Sequence, residues 1–276
     1  MLLSCLLVVA APIDVVYHGP KEPGAAKAED FTVPQWDGGA TLFVAEHETN
    51  LRKAASAEAE SVARLQLAGK VTIIKRSSAV SKSGDRADYW YEVSTETGAR
   101  GFVFGAALTP AGFVADLDDD GDVEAATVAW SPDYKVRVRY RDAGAVKQLD
   151  LQAGGQAYAC CGGAIHVTLV SKEVAGLTLL RIDSDAEACG DYNSALVSFK
   201  GGEPLAALES GGLRDTPNYS VVSFEYAPKK QQLTVVRKTW SEEEGSGGEK
   251  ASVATRERFT LKDSVFKSVK TGKSSD

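Results

Sequence analysis

Residues 89–108, YWYEVSTETGARGFVFGAAL, carry the pattern that decides the fold of the first part of the chain. Two short strand-like runs, rich in aromatic residues and valine, flank a turn at Gly98, and further short apolar runs precede them from Leu42 onward. A small five-stranded β-barrel requires short strands, tight turns that contain glycine, and an apolar interior. Residues 42–108 therefore predict such a barrel.

Four motifs within residues 41–110 resemble those of bacterial SH3-like domains, and they occur in the same order. The resemblance implies a small β-barrel binding module for this part of the chain. Two features depart from the family pattern: Phe102 replaces the usual tryptophan, and residues 77–87 lengthen a loop. The four motifs are TNLR at 49–52, LQLAGKVTII at 65–74, YWYEV at 89–93 and GARGFVFGAAL at 98–108.

The resemblance also implies a ligand surface, because such domains bind cell-wall peptides or other extended ligands. Four aromatic side chains are candidates for that surface: Tyr89, Trp90, Tyr91 and Phe104. The alternative for each of them is a place in the barrel core, since alternate residues of a strand point inward. Arg52 is expected to be a structural pairing residue.

An acidic run, DLDDDGDVE at residues 116–124, follows the first domain. It places carboxylates at positions 1, 3, 5 and 9 and glycine at position 6, a spacing that suits a hard cation. An EF-hand also needs an acidic residue at position 12, which here is Thr127, so the EF-hand interpretation fails. The pattern resembles the calcium loop of FG-GAP and VCBS-like extracellular repeats, and an acidic solvated turn is the alternative. The resemblance implies Ca²⁺ ligands at Asp116, Asp118, Asp120, Asp122 (through its carbonyl) and Glu124.

Strand patterns recur beyond the acidic run. In KVRVRY, residues 135–140, the two valines and the tyrosine share one face and the arginines share the other. The fold class is therefore predicted as all-β, a small SH3-like barrel followed by a β-sandwich-like domain. The predicted organisation is a signal peptide or N-terminal anchor at 1–17, a linker at 18–40, the SH3-like domain at 41–110 and a β-rich domain at 111–276.

The N-terminus indicates export. An apolar run from Leu2 to Ala11 ends in small residues, as secretory signals do, although no basic residue precedes it. The expected location is the periplasm, the cell envelope or the exterior, with membrane contact only through an uncleaved anchor. The net charge of -7 gives no general attraction for nucleic acid.

The cysteines and the three histidines offer no strong catalytic pattern. In an exported protein we expect Cys161, or alternatively Cys160, to pair with Cys189 in a disulfide. A peptidase built on these thiols and His166 is disfavoured in a strand-rich context, and the common hydrolase, phosphate-loop and zinc-protease motifs do not occur. No catalytic residue is assigned. The favoured function is a non-catalytic module that binds cell-wall or protein ligands; the alternatives are a calcium-stabilised structural or adhesion protein and, less favoured, a cell-wall hydrolase.

Overall fold

The fold is described from a computed structural model that covers residues 11–152, 163–184, 190–215, 218–241 and 253–269. Nearly all regular structure in these ranges is antiparallel β-strand, which confirms the all-β prediction. The α-helical exception is one short turn of helix, Lys172–Ala175. Within the same ranges no helix is long and apolar enough to cross a membrane.

The N-terminal segment, described from residue 11, contains packed aromatic side chains, while most of residues 21–30 are exposed. Tyr17 is fully buried and Phe31 is nearly so. The composition of residues 18–40, rich in proline, glycine and charge, favours an extended tether, but aromatic side chains at intervals gain free energy by burial. The segment contains three strands: β1 (Ile13–Val16), β2 (Gly19–Pro20) and β3 (Phe31–Thr32).

The next nine strands form the first unit. Seven of them make one sheet in the order β12-β4-β7-β10-β11-β5-β6, and β8 pairs with β9 in the lengthened loop. The ladder is open, since β12 and β6 are its ends, yet side chains from most of its strands share one core. The strands are β4 (Thr41–Val44), β5 (Thr49–Arg52), β6 (Ser61–Leu65), β7 (Lys70–Arg76), β8 (Ser81–Ser83), β9 (Arg86–Asp88), β10 (Trp90–Thr95), β11 (Arg100–Phe104) and β12 (Leu108–Thr109).

A four-stranded meander follows the first unit. Its third strand shows the predicted alternation, because Val136, Val138 and Tyr140 are buried while the arginines between them are only partly so. The strands are β13 (Ala111–Ala115), β14 (Glu124–Trp130), β15 (Lys135–Asp142) and β16 (Ala145–Gln152).

The largest sheet has nine strands and begins with β1, which pairs with the first strand after the gap at 153–162. From there the order follows the chain to the last described strand. The strands are β17 (Ala164–Val170), β18 (Leu179–Ser184), β19 (Gly190–Ser198), β20 (Leu205–Asp215), β21 (Asn218–Ala227), β22 (Gln232–Ser241), β23 (Val253–Lys262) and β24 (Val265–Ser268).

The two larger sheets of the second part enclose a shared core, which agrees with the predicted β-sandwich. Leu180 and Val197 join this core, whereas their neighbours Leu179 and Leu196 point to the other face and join a second core with β21, β22 and β24. Strand alternation thus gives the nine-stranded sheet two buried faces along β18 and β19.

The first unit contacts the outer face of the meander. Arg139 donates a hydrogen bond to the carbonyl of Ala45 at 3.0 Å and contacts Glu46 at 3.3 Å. Arg86 of the first unit contacts the same carboxylate at 2.6 Å. Burial lowers the pKa of the Arg139 guanidinium, and the Glu46 carboxylate opposes that shift. One carboxylate therefore joins arginines from both units.

Candidate aromatic faces and metal loop

Strand β10 sends its aromatic side chains to opposite sides. Tyr91 is fully buried in the core of the first unit, and Trp36 of the N-terminal segment packs on its ring. Burial raises its pKa to about 12. Trp90 points the other way and is 5% exposed, packed at 5.3 Å between ring centroids against Phe104.

The side of strands β10 and β11 that carries Trp90 is rich in aromatic side chains and is partly exposed. Phe102 and Phe104 are both partly exposed and lie on the same side of β11. An ion pair between Lys75 and Glu92, 3.0 Å long, lies beside them, because Glu92 is opposite Phe102 in the ladder. We call the surface formed by Phe102 and Phe104, with the buried Trp90 ring packed against Phe104, the open face. An apolar patch with charges at its edge suits a peptide or glycopeptide ligand.

Tyr89 lies on the opposite side of β10 from the open face. We call this side the second face, and other residues cover it. The guanidinium carbon of Arg76 is 4.3 Å from the centre of the Tyr89 ring, and Tyr89 meets Tyr91 edge-on at 6.4 Å. Trp36, from the N-terminal segment, packs on Tyr91 with ring centroids 5.3 Å apart. The sequence motifs do not predict this cover, because Trp36 lies outside them.

Arg52 has a structural partner, as expected. Its Nη1 donates a hydrogen bond of 2.6 Å to the carbonyl oxygen of Ala59. That bond ties the turn after β5 to the start of β6, so the side chain supports the loop.

The acidic loop brings three of the predicted cation ligands together. Carboxylate oxygens of Asp116, Asp118 and Asp120 lie within 4.8 Å of one another. Two hydrogen bonds from backbone N–H groups stabilise the loop. The N–H of Asp120 donates to the Asp118 carboxylate at 3.2 Å, and the N–H of Asp122 donates to the Asp120 carboxylate at 2.9 Å. Gly121 has φ +103°, which other residues rarely adopt.

Glu124 belongs to the same loop but not to that oxygen cluster. It is buried, and one of its oxygens accepts a hydrogen bond of 2.7 Å from the backbone of Leu117. Burial raises the pKa of Glu124 and of Asp118, and the nearby carboxylates raise both further. The hydroxyl of Tyr140 is buried beside Asp118, and burial together with the neighbouring carboxylates, Asp118 first among them, raises its pKa. The loop thus concentrates carboxylate oxygens and negative charge, which suits a hard cation.

Asp119 has a role that its spacing does not predict. Its carboxylate accepts hydrogen bonds from the backbone N–H and the hydroxyl of Thr178, at 3.2 Å and 2.9 Å. Asp119 adopts φ +66°, which turns it away from the other loop carboxylates. It therefore fastens the loop to the segment before β18.

His166 is held in the nine-stranded sheet. Its Nδ1 lies 2.7 Å from Oδ1 of Asp14 on the neighbouring strand. Asp183 lies opposite His166 on the next strand and accepts a hydrogen bond of 2.7 Å from the hydroxyl of Ser194, one strand further. The predicted disulfide partners Cys160, Cys161 and Cys189 lie outside the described residues.

Comparisons with known proteins identify one part of the chain. Residues 47–109 match the family model of the bacterial SH3 domain. A search of the curated proteins and a search of the solved structures found no match to this chain. The matched residues contain strands β5 to β12, both aromatic faces and Arg52, and the match ends before the acidic loop. Residues 47–109 are therefore a bacterial SH3 domain within an otherwise β-rich chain.

Proposed function

We propose that this protein is an exported, non-catalytic binding protein of the bacterial cell envelope whose SH3 domain recognises a cell-wall peptide or a protein ligand. The observation that carries the proposal is the family match at 47–109 together with the open face. Export is supported by the apolar run at residues 2–11. Because β1 belongs to the folded body, a signal would have to be cleaved before Ile13.

The open face supports ligand binding through its accessibility. Phe102 and Phe104 are partly exposed on one side of the sheet, and Trp90 supports Phe104 from below. Aromatic side chains supply much of the binding free energy in protein interfaces because they bury large areas with few rotatable bonds. An extended ligand across this face would contact both phenylalanine rings.

Retention by purified peptidoglycan tests this proposal. We expect the wild-type protein to be retained and the Phe104→Ser variant to bind at least about tenfold more weakly, the effect of losing one aromatic contact. The matched control is Val62→Ser, which changes a side chain that is 43% exposed at the edge of the same domain. Trp90→Ala is unsuitable because the buried ring also stabilises the fold. Equal retention of Phe104→Ser and wild type, or no retention of wild type, would count against a cell-wall ligand at this face.

We also propose that the acidic loop binds Ca²⁺. Asp116, Asp118 and Asp120 would supply side-chain oxygens, Asp122 its carbonyl and Glu124 its remaining oxygen. The proximity of the Asp116, Asp118 and Asp120 carboxylates supports the proposal, because a hard cation prefers oxygen ligands. The bound ion would neutralise carboxylates that are partly buried, and it would stabilise the folded loop.

Melting temperature measured against Ca²⁺ concentration, at constant ionic strength, tests the loop. Ligand at a hundredfold excess over its dissociation constant stabilises a folded protein by ~2.7 kcal/mol. We expect Asp116→Asn to abolish the increase in melting temperature. Asp122→Asn removes the same charge from the same loop but leaves the carbonyl ligand, so it should keep most of the increase. An unchanged wild-type melt at millimolar Ca²⁺ would refute the site.

A calcium-stabilised structural or adhesion protein is the second candidate. The contact between Asp119 and Thr178 favours it, because it connects the loop to the nine-stranded sheet and a bound ion would brace two sheets. Calcium stabilisation without retention by peptidoglycan would support this candidate. A hydrolase is less favoured, since the sequence carries none of the common hydrolase motifs and the peptidase candidates Cys160 and Cys161 lie in a strand-rich sequence context.

A further inference from the structure

A short piece of the chain covers the second face of the SH3 domain. Residues 34–36, Pro-Gln-Trp, form no strand or helix and lie between two anchored segments. Before them, β2 pairs with β3. After them, the backbone N–H of Ile73 donates to the carbonyl of Ala40 at 2.9 Å. We call residues 34–36 the covering segment; both of its ends are fixed.

One tyrosine hydroxyl contacts the backbone of the covering segment on both sides of Gln35. The Tyr91 hydroxyl donates to the carbonyl oxygen of Pro34 at 3.3 Å and accepts from the backbone N–H of Trp36 at 3.4 Å. The Trp36 ring packs at 49° to the Tyr91 ring. Proline-containing peptides also dock on aromatic side chains when they bind in grooves of other proteins.

The side chain of Gln35 has its own partner on the domain. Its Oε1 accepts a hydrogen bond from Arg76, the residue whose guanidinium lies over the Tyr89 ring. The rest of Gln35 is exposed. Proline carbonyl, glutamine side chain and tryptophan ring therefore each meet a separate group of the SH3 domain.

The covering segment is not tightly packed on the side away from these contacts. A cavity of about 60 Å³ lies between it and the rest of the protein, lined by Pro34, Trp36, Thr109 and Trp130 among others. Protein interiors contain few voids larger than a water molecule. Pro34 and Trp36 therefore border open space as well as packed side chains.

We propose that Arg76, Tyr89 and Tyr91 form a second peptide-binding site of the SH3 domain, which the covering segment occupies in cis. The site fits an extended peptide with a proline and, two residues later, an aromatic residue. It lies on the opposite side of β10 from the open face. The inference is therefore independent of the proposed cell-wall ligand.

A tethered occupant has a strong advantage over a free peptide. Short tethers give effective concentrations in the millimolar range, so an external peptide competes only when it binds better or is very concentrated. The wild-type protein should then bind such a peptide poorly. Weakening the tethered contacts should make the site available.

Fluorescence polarisation with a labelled peptide of residues 32–40, TVPQWDGGA, tests the site on the full chain. We expect the double variant Pro34→Ala/Trp36→Ala to bind the peptide at least about tenfold more tightly than wild type, because the internal competitor is weakened. The same peptide carrying W36A should bind the double variant more weakly. The proposal would be overturned if the peptide bound wild type and the double variant with equal affinity, or if W36A in the peptide did not weaken its binding.

A second variant keeps the test decisive if the double variant does not fold. Gln35→Ala alters an exposed side chain and removes the contact with Arg76, so we expect about threefold tighter peptide binding, the effect of one exposed contact. Asp37→Ala, a neighbouring exposed change without that contact, should bind as wild type does. No gain for Gln35→Ala over Asp37→Ala would then overturn the proposal. Retention by peptidoglycan, measured in parallel, reports on the open face alone.

Discussion

The indole Nε1 of Trp130 donates a hydrogen bond of 3.0 Å to the carbonyl oxygen of Val15, across 115 positions of the chain. Trp130 also meets Tyr17 edge-on, with ring centroids 5.1 Å apart. The N-terminal strand is therefore held by the meander as well as by its neighbour β17. This relationship makes residues 13–17 part of the folded body.

Trp130→Phe should lower the free energy of unfolding by ~1–3 kcal/mol, because it retains an aromatic ring but removes the hydrogen-bond donor to Val15. Urea unfolding followed by circular dichroism measures the change. Val16→Thr, on the exposed side of the same strand, should remain within ~0.5 kcal/mol of wild type. Equal effects of the two variants would mean that the hydrogen bond does not hold the strand.

Glu46→Gln should weaken the connection between the SH3 domain and the meander. It removes the charge that Arg86 and Arg139 share, and Arg139 is mostly buried. The expected loss is ~1–3 kcal/mol, the cost of a buried group left without its charged partner. Glu48→Gln is the control, since its pair with Arg64 is exposed and should contribute less than ~1 kcal/mol. Similar losses in both variants, measured by urea unfolding, would contradict this role.

Gly112→Ala should be strongly destabilising. A Cβ atom at this position would overlap the ring of Phe43, which belongs to the SH3 domain, so the two units would have to separate. The expected cost is ~2–4 kcal/mol, as for an overpacked core, and thermal melting measures it. Gly98→Ala has open space but φ +83°, so it should cost only ~1–2 kcal/mol. A smaller effect at Gly112 than at Gly98 would show that the junction adapts.

Asp150→Asn should reduce stability in a pH-dependent manner. Two hydrogen bonds of 2.9 Å from Arg137 hold the pKa of Asp150 below its usual range. A lowered folded pKa gives stability that is present above the unfolded value of ~3.9 and is lost as pH falls through the folded value. We expect a loss of up to ~1 kcal/mol at pH 7, typical of a cross-strand charge pair, and convergence with wild type once the pH falls below the folded pKa of Asp150. Urea unfolding at several pH values tests this, and a constant difference would refute it.

The candidate sites were only partly predictable. The motif spacing located the aromatic residues of the SH3 domain, but it did not separate Tyr91, in the core, from Phe104, at the surface. Exposure depends on which neighbours pack against each face, and Trp36 lies far outside the motif that contains Tyr91. In the acidic loop, alternation predicted the cluster of Asp116, Asp118 and Asp120, whereas the role of Asp119 depends on Thr178.

The sequence by itself determined the all-β fold and the SH3 motifs, because strand alternation and glycine turns are local properties. It also located the oxygen-rich loop, for the same reason. Only the tertiary structure decided that Tyr17 and Phe31 are buried and that Pro34, Gln35 and Trp36 cover one face of the SH3 domain. These outcomes depend on contacts between distant parts of the chain, such as Val15 with Trp130. They also depend on which individual side chains are buried, which the composition of a segment does not show.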